Sequence, residues 1–190
     1  MHTLLLASQS PRRRQLLSQL EYPVRFVDVE VDEIVEPNTP VDLIPASLAL
    51  LKAKGYSKPL AADEVLVAAD TIVSHKGAVL GKPHNRQEAL DMLRSLSGDK
   101  HTVYTGVCLR SQERQVVFTE KTDVFFRPLS DATIFSYVDR NTCFDKAGAY
   151  GVQEWIGMVG VERIEGCYYN VMGLPVSRLY FELQQLISKS

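Results

Sequence analysis

Leu4-Leu5-Leu6-Ala7-Ser8-Gln9-Ser10-Pro11-Arg12-Arg13-Arg14-Gln15-Leu16-Leu17 is the stretch on which the reading of this chain turns. Leu4 to Ala7 is an apolar run suited to a short buried strand. Ser10 is a favourable N-cap, and Pro11 suits the first helical position, where its missing N–H leaves nothing unsatisfied, so a helix is expected from Pro11. That helix opens with three arginines, although a helix N-terminus carries partial positive charge and each exposed cation there is unfavourable by roughly 0.3–1 kcal/mol. A bound polyanion resolves the conflict, because free N–H groups, the dipole and guanidinium forks then converge on phosphate oxygens. At about 100° per residue, Leu16, Leu17 and Leu20 define the inward face, with Arg13 near its centre, Arg12 on one flank and Arg14 well outside. Arg12 and Arg13 are therefore the ligand candidates, leaning back over the end of the strand where open α/β sheets bind ligands. Arg14 is expected to be a solvated surface residue. The alternative is that all three are solubility charges on an exposed helix end.

Around this stretch, 190 residues with an ordinary apolar content suffice for a packed core. The formal net charge of -2 excludes the broad basic footprint of a protein that coats nucleic acid, so phosphate recognition is expected to be local. Cys108, Cys143 and Cys167 are scattered and include no CxxC pair, which supports neither a disulfide framework nor a zinc ribbon and suits reducing cytosol. No charged-then-apolar leader precedes Leu4 and no apolar run nears the roughly 18 residues that span a bilayer, so a cytoplasmic chain without membrane contact is expected.

Farther along, Val24 to Val29 reads as a strand and Glu30 to Pro40 as an acidic loop with Asp32, Glu33 and Glu36. Ala46 to Ala53 reads as a helix terminated by Gly55, with Lys52 in its last turn. Val65 to Ala69 is an apolar strand interrupted by Asp70 as it runs into Thr71-Ile72-Val73, and Lys76-Gly77 is a hairpin turn. Asn85 with Glu88 three residues later caps a helix through Leu96 that Gly98 closes. Thr102 to Leu109 and Gln115 to Phe126 form a long hairpin, and Ser130 caps a helix through Val138. Asp145 to Gln153, rich in Gly and Ala, reads as a functional loop. Val159 to Ile164 is a strand, and after Gly173-Leu174-Pro175 a final helix places Val176, Leu179, Tyr180, Leu183, Leu186 and Ile187 on one face. Hairpins breaking the strand–helix alternation imply an α/β protein with a mixed sheet and flanking helices.

Asp70 is the strongest candidate for a catalytic or metal-binding carboxylate, since a charge in that apolar setting needs a partner. Its alternative is a turn-forming aspartate. Lys82, in Gly81-Lys82-Pro83, is a point-charge phosphate ligand on a rigid turn, although this tripeptide is common. Neither GxxxxGK[ST] nor GxGxxG occurs, which argues against a Walker NTPase and a dinucleotide site. His2, His75, His84 and His101 lack ligand spacing and are expected mostly at the surface. Asp70, Glu33 and Asp32 offer hard oxygens that, with substrate phosphate, favour Mg²⁺ or Mn²⁺ over zinc. In the Asp145–Gln153 loop, Asp145 and Lys146 form a salt bridge on the plain reading. On the functional one, Gly148 and Gly151 admit a ligand and the Gln153 amide, donor and acceptor at once, reads an imide edge such as uracil or thymine. Tyr150 and Trp155 are either base-stacking or packing residues.

Taken in order, Ala7-Ser8-Gln9-Ser10-Pro11-Arg12-Arg13, Ala69-Asp70-Thr71, Gly81-Lys82-Pro83, Leu96-Ser97-Gly98, Asp145 to Gly151 and Val171-Met172-Gly173-Leu174-Pro175 make the chain resemble the Maf family of nucleoside triphosphate pyrophosphatases over nearly its whole length. The resemblance implies a single domain over residues 1–190, two lobes around a deep groove, a homodimer and a divalent cation. Lys146 to Gln153 looks like the branch acting on dTTP and UTP rather than on 7-methyl-GTP. By the same resemblance Arg12, Thr71 and Gln153 are specificity positions, Asp70 is the proton acceptor, and Arg13, Glu33, Lys52 and Lys82 line the groove. Glu154-Trp155 departs from the pattern, which has small residues after Gln153.

The implied reaction is hydrolysis between the α- and β-phosphates of a pyrimidine nucleoside triphosphate. Arg12, Arg13, Lys52 and Lys82 would neutralise the triphosphate, and Asp70 would deprotonate the attacking water or hold the metal, with Glu33 assisting. The competing expectation is a non-catalytic inhibitor of septum formation acting through a protein partner, the cell-division activity attached to the family.

Overall fold

The structure is a computed structural model that describes residues 2–140 and 142–188. Its elements are β1 (Thr3–Ala7), α1 (Pro11–Ser18), β2 (Val24–Phe26), α2 (Ile44–Gly55), β3 (Glu64–His75), β4 (Ala78–Leu80), α3 (Arg86–Leu96), β5 (Lys100–Arg110), β6 (Gln115–Phe126) and α4 (Asp131–Val138), then a 3₁₀ turn at Ala147–Ala149, α5 (Trp155–Gly160), β7 (Val161–Glu165), α6 (Tyr168–Met172) and α7 (Val176–Ser188). Seven strands form one mixed sheet in the order β2-β1-β3-β5-β6-β7, with β4 paired to β3. β1 is parallel to both β2 and β3, whereas β3–β4 and β6–β7 are antiparallel. The mixed α/β class expected from the hairpins is the one observed.

The chain divides into two compact units. The first comprises Met1–Asp70, Thr105–Glu120 and Gly173–Ser190. Its core joins Leu5, Leu66 and Ala68 of the sheet to Ala49 and Ala53 of α2, with Tyr56 and Cys108. Gly106 is required here, because a Cβ would stand 2.1 Å from the Pro45 carbonyl carbon at the start of α2. The second unit comprises Thr71–Tyr104 and Lys121–Met172. Ala89, Leu90, Leu93 and Leu96 recur at helical spacing on α3 and meet Ile134, Tyr137 and Val138 of α4 over Val103, Val124 and Phe126. Asn85 accepts from the Glu88 N–H and caps α3, and Lys76 and Gly77, both at positive φ, make the β3–β4 turn.

Several local expectations are corrected. β2 stops at Phe26 rather than Val29, because its register with β1 runs only from Leu4 to Leu6. β3 passes through Asp70 without interruption. Val159 lies in the short helix α5, and the strand begins at Val161; an apolar run as short as Trp155 to Gly160 does not declare its period. Gly55 ends α2 as read, while the helix starts earlier, at Ile44, and a Cβ on Gly55 would stand 2.3 Å from Val31 Cγ1. Tyr180, expected on the inward face of α7, is exposed, and only Leu179, Leu183 and Leu186 are buried there. Of the four histidines, expected mostly at the surface, His75 and His101 are buried.

Candidate functional site

In the first unit the polypeptide brings four elements to one cluster of charge. α1 begins where the structure of its sequence requires: the Ser10 hydroxyl accepts from the Arg13 N–H at 3.5 Å, and Ser8 Oγ accepts from the Ser10 N–H at 3.2 Å. The side chain of Arg13 turns inward as the wheel predicts. Its Nε donates to the Gly173 carbonyl at 2.8 Å, and its Nη1 to Ser8 Oγ at 3.5 Å. Burial lowers the pKa of this guanidinium; the charge of Asp70 opposes that shift, Arg12 adds to it and Glu33 opposes it. The side chains of Arg12, Arg13, Glu33 and Asp70 therefore share one field.

Arg14 is not the solvated residue expected. It is half-buried, its Nε donates to the Ser8 carbonyl at 3.2 Å, and its guanidinium lies 4.8 Å from the Phe26 ring centre. The cation–π contact and the carbonyl thus give its charge partners within the protein.

Lys52 occupies the centre of the cluster. From the last turn of α2 its Nζ reaches Asp70 Oδ1 at 2.6 Å and Glu33 Oε1 at 3.1 Å. Asp70 therefore has the cationic partner that its burial in β3 demands, and removal of that partner would leave a costly charge. Lys52 and Asp70 side chains are 16% and 14% exposed, whereas Glu33 is 52% exposed on the loop before α2. Asp32 is exposed. Arg12, Arg13 and Lys52 thus lie in one field with the Asp70 and Glu33 carboxylates.

Among the described residues no group of three or more His, Cys, Asp or Glu side chains is arranged to enclose a metal ion. The two carboxylates on Lys52 are nonetheless hard oxygen donors, and Mg²⁺ is commonly held by one or two carboxylates with substrate phosphates and water supplying the rest. The donor set fits a cation that arrives with a polyphosphate, not one held by protein alone.

The second unit holds the remaining candidates. Thr71 follows Asp70 in β3 and is half-buried. Lys82 is exposed on its turn, and the carbonyl of Gly81 accepts from the Gly148 N–H at 3.0 Å, tying this turn to the Asp145–Gln153 loop. Gly148 has φ 70°, which only glycine adopts without strain. Lys146 is 7% exposed and bonds Asp145 Oδ1 at 2.6 Å, as the plain reading expects, but also Glu154 Oε1 at 2.9 Å and the Thr142 carbonyl. Tyr150 is a packing residue: it is buried, and its hydroxyl lies 2.7 Å from His101 Nε2. Trp155 packs on the hydrophobic core, with the Arg140 guanidinium 4.4 Å from its ring centre. Gln153 is half-buried, and its Oε1 is buried without a hydrogen-bond partner among the described residues. Ser8, Tyr137 and Glu154 were not singled out from the sequence as site residues, and only the departure at Glu154 signalled one of them.

Helix N–H groups and guanidinium forks are groups that can bond phosphate oxygens. The chain belongs to the Maf family: the Maf-like protein pattern matches residues 3–186. A protein of Bacteroides fragilis named dTTP/UTP pyrophosphatase is 50% identical over 187 residues, covering 97% of this chain and 96% of that one. Proteins of the same name from Bacteroides thetaiotaomicron and Porphyromonas gingivalis are 49% and 46% identical, covering 97% and 96% of this chain and 96% and 94% of theirs. Among solved structures, a nucleoside-triphosphatase (dITP/XTP pyrophosphatase) of Mycobacterium abscessus is 19% identical with a TM-score of 0.39, covering 67% of this chain and 75% of that one, a likeness too slight to bear on fold or activity.

Proposed function

We propose that this chain is a nucleoside triphosphate pyrophosphatase that hydrolyses dTTP and UTP to the monophosphate and pyrophosphate. The observation that carries the reading is Lys52 held between the Asp70 and Glu33 carboxylates, in the same charge cluster as Arg13, in a chain half identical to a protein named for that reaction.

Asp70 is the proton acceptor. Lys52 engages its Oδ1 and fixes the carboxylate, and the second oxygen takes a proton from water as the water oxygen bonds the α-phosphorus. The bond from the α-phosphorus to the α–β bridging oxygen breaks, and that oxygen leaves with pyrophosphate. Arg12, Arg13 and Lys82 neutralise the charge that moves onto the leaving group. In the alternative role Asp70, with Glu33, would hold a Mg²⁺ or Mn²⁺ ion that would polarise the phosphoryl oxygens. Arg12, Thr71 and Gln153 select the base and sugar by the family pattern.

The chain is further assigned to the cytoplasm as a homodimer of single-domain protomers. Three free cysteines support the first assignment, and the family resemblance supports the second. No described helix is long and apolar enough to cross a membrane. Pyrophosphate release measured across canonical and modified triphosphates with Mg²⁺ or Mn²⁺ tests the activity. Release from dTTP and UTP is expected; release from none overturns the reading, and selective release from 7-methyl-GTP moves the chain to the other branch. Division arrest on overexpression, measured with catalytically dead protein, separates a septum-inhibiting role from turnover.

A further inference from the structure

The Ala147–Ala149 turn holds a backbone conformation that one of its residues disfavours. Gly148 and Ala149 both lie in the left-handed region, at φ 70° and 61°. Glycine enters it freely, but the Cβ of an alanine crowds a carbonyl oxygen there, so Ala149 keeps this conformation only because its surroundings over-determine it. Two buried side chains flank the turn. Lys146, on its upstream side, is fixed by Asp145, Glu154 and the Thr142 carbonyl, and its own carbonyl accepts from the Ala149 N–H at 3.1 Å. Tyr150, on its downstream side, is 5% exposed.

The Tyr150 anchor ends on a histidine. Its hydroxyl lies 2.7 Å from Nε2 of His101, which is 1% exposed on β5, and both rings stand edge to face with Phe126, at centroid separations of 5.1 and 4.9 Å. Burial raises the pKa of Tyr150 and lowers that of His101, so at neutral pH a neutral phenol meets a neutral imidazole. With Nε2 used by Tyr150, Nδ1 of His101 is buried without a partner among the described residues. An apolar side chain of similar size would fill the same place without an orphaned nitrogen, so what the histidine contributes is its bond to Tyr150.

The turn is bonded in its middle to a candidate phosphate ligand. The Gly148 N–H donates to the Gly81 carbonyl at 3.0 Å, and a Cβ on Gly148 would press on Val73 of β3 at 3.2 Å. Lys82 follows Gly81 and is exposed, and the next residue, Pro83, is buried. Lysine is a point charge on a flexible stem, so its aim depends on where its backbone is held. Here that backbone is held by Pro83 on one side and by Gly148 on the other.

We propose that His101 and Tyr150 are positioning residues for the reaction: their buried bond holds the left-handed Gly148–Ala149 turn, which through the Gly148 N–H and the Gly81 carbonyl holds Lys82 for the triphosphate. The inference rests on the assignment of Lys82 to the phosphates. Both residues are buried and act through the backbone.

The experiment uses the full chain with Tyr150→Phe, which removes the hydroxyl and keeps the ring, and with His101→Phe, His101→Gln and Lys82→Ala. Two quantities are read: kcat and KM for UTP by pyrophosphate release, and exchange of the Gly148 amide hydrogen by NMR without substrate. Tyr150→Phe is expected to lower kcat about tenfold, the scale of one hydrogen bond, with KM within about twofold, because Lys82 acts on charge that develops as pyrophosphate leaves. The Gly148 amide exchanges about tenfold faster, while amides in the middle of α3 keep their protection. His101→Phe repeats both changes, and His101→Gln, which keeps a donor and an acceptor near the hydroxyl, recovers part of them. In the Lys82→Ala background, Tyr150→Phe lowers kcat no further, because the group it acts through is gone. A uniform rise in exchange with a lowered melting temperature overturns the proposal in favour of a structural role. An unchanged Gly148 amide overturns it too, as does a kcat loss that persists in full beside Lys82→Ala. If Lys82→Ala leaves kcat unaltered, the proposal falls with the assignment of Lys82 and the pyrophosphatase reading stands. If the unaltered chain releases no pyrophosphate, that reading fails; a faster Gly148 amide in Tyr150→Phe still supports the anchored turn, and an unchanged one overturns it.

Discussion

Lys52 and Lys146 each hold two carboxylates, and they hold them differently. In the first unit Lys52 is shared between Asp70 and the half-exposed Glu33, with Arg13 and Arg12 contributing to the same field. In the second, Glu154 is closed on both oxygens by Lys146 and Tyr137, and Lys146 is itself saturated by Asp145 and the Thr142 carbonyl. The first cluster keeps a carboxylate in contact with solvent, Glu33 being 52% exposed, so its Lys52 pairing is open to exchange. In the second, both Glu154 oxygens are already taken by protein donors. Charged residues with the same local chemistry thus differ in how completely protein groups occupy them.

The largest effect that would break this comparison is at Asp70. Asp70→Asn is expected to lower turnover of UTP by about a thousandfold while the chain remains folded by circular dichroism; near-normal turnover would remove Asp70 from the reaction. Next, neighbouring arginines should separate. Arg13→Ala, which deletes the bond to the Gly173 carbonyl and a guanidinium in the open cluster, should cost about a hundredfold in kcat/KM. Arg14→Ala, which loses only the Ser8 carbonyl and the Phe26 ring, should stay within about threefold of the unaltered enzyme in the same assay. Equal losses would erase the distinction between inward and outward arginine.

The second unit should be closed to protons as well as to ion exchange. Burial, then the charge of His75, lowers the pKa of His101 from 6.5 to about 4, with Asp123 and Asp99 opposing. Because the folded state binds fewer protons than the unfolded state between those values, stability should fall as pH drops through that window. About 2 kcal/mol should be lost between pH 7 and pH 5 by urea melts, and His101→Phe should flatten the slope whatever its baseline stability. An unchanged slope would mean that His101 does not titrate on unfolding in this range. The smallest effect is at the cap: Ser10→Ala should destabilise by about 1 kcal/mol or less, given its 3.5 Å bond to Arg13 N, and a larger loss would show that Ser10 supports more than the first turn.

What was legible in the chain was local. The Ser10-Pro11 start, the Asn85–Glu88 cap and the Lys76-Gly77 turn all occur as read, because each is decided within about four residues by a cap or a positive φ. The long hairpin and the final helix follow from periods sustained over many residues. Helix α5 was missed because Trp155 to Gly160 is apolar throughout and too short to show a period. Among the site residues, Asp70 and Arg13 were visible as charges in conflict with their surroundings: one in an apolar strand, the other against a helix dipole. Arg14 was misjudged because its partners, the Ser8 carbonyl and the Phe26 ring, lie off the helix on which the wheel was drawn. His101 was misjudged because its burial comes from Phe126 and Tyr150, distant in sequence.

The amino-acid sequence by itself determined where helices begin, which charges need explanation and which family the chain joins, since caps, dipoles and motif order act along the chain. Only the tertiary structure decided that Lys52 bridges Asp70 and Glu33 instead of standing free, and that Glu154 closes on Tyr137 and Lys146 beside Gln153. The physical reason is that an ion pair is chosen by side-chain reach and burial in space. Lys52 and Asp70 are 18 residues apart in sequence, and nothing local to either specifies the other.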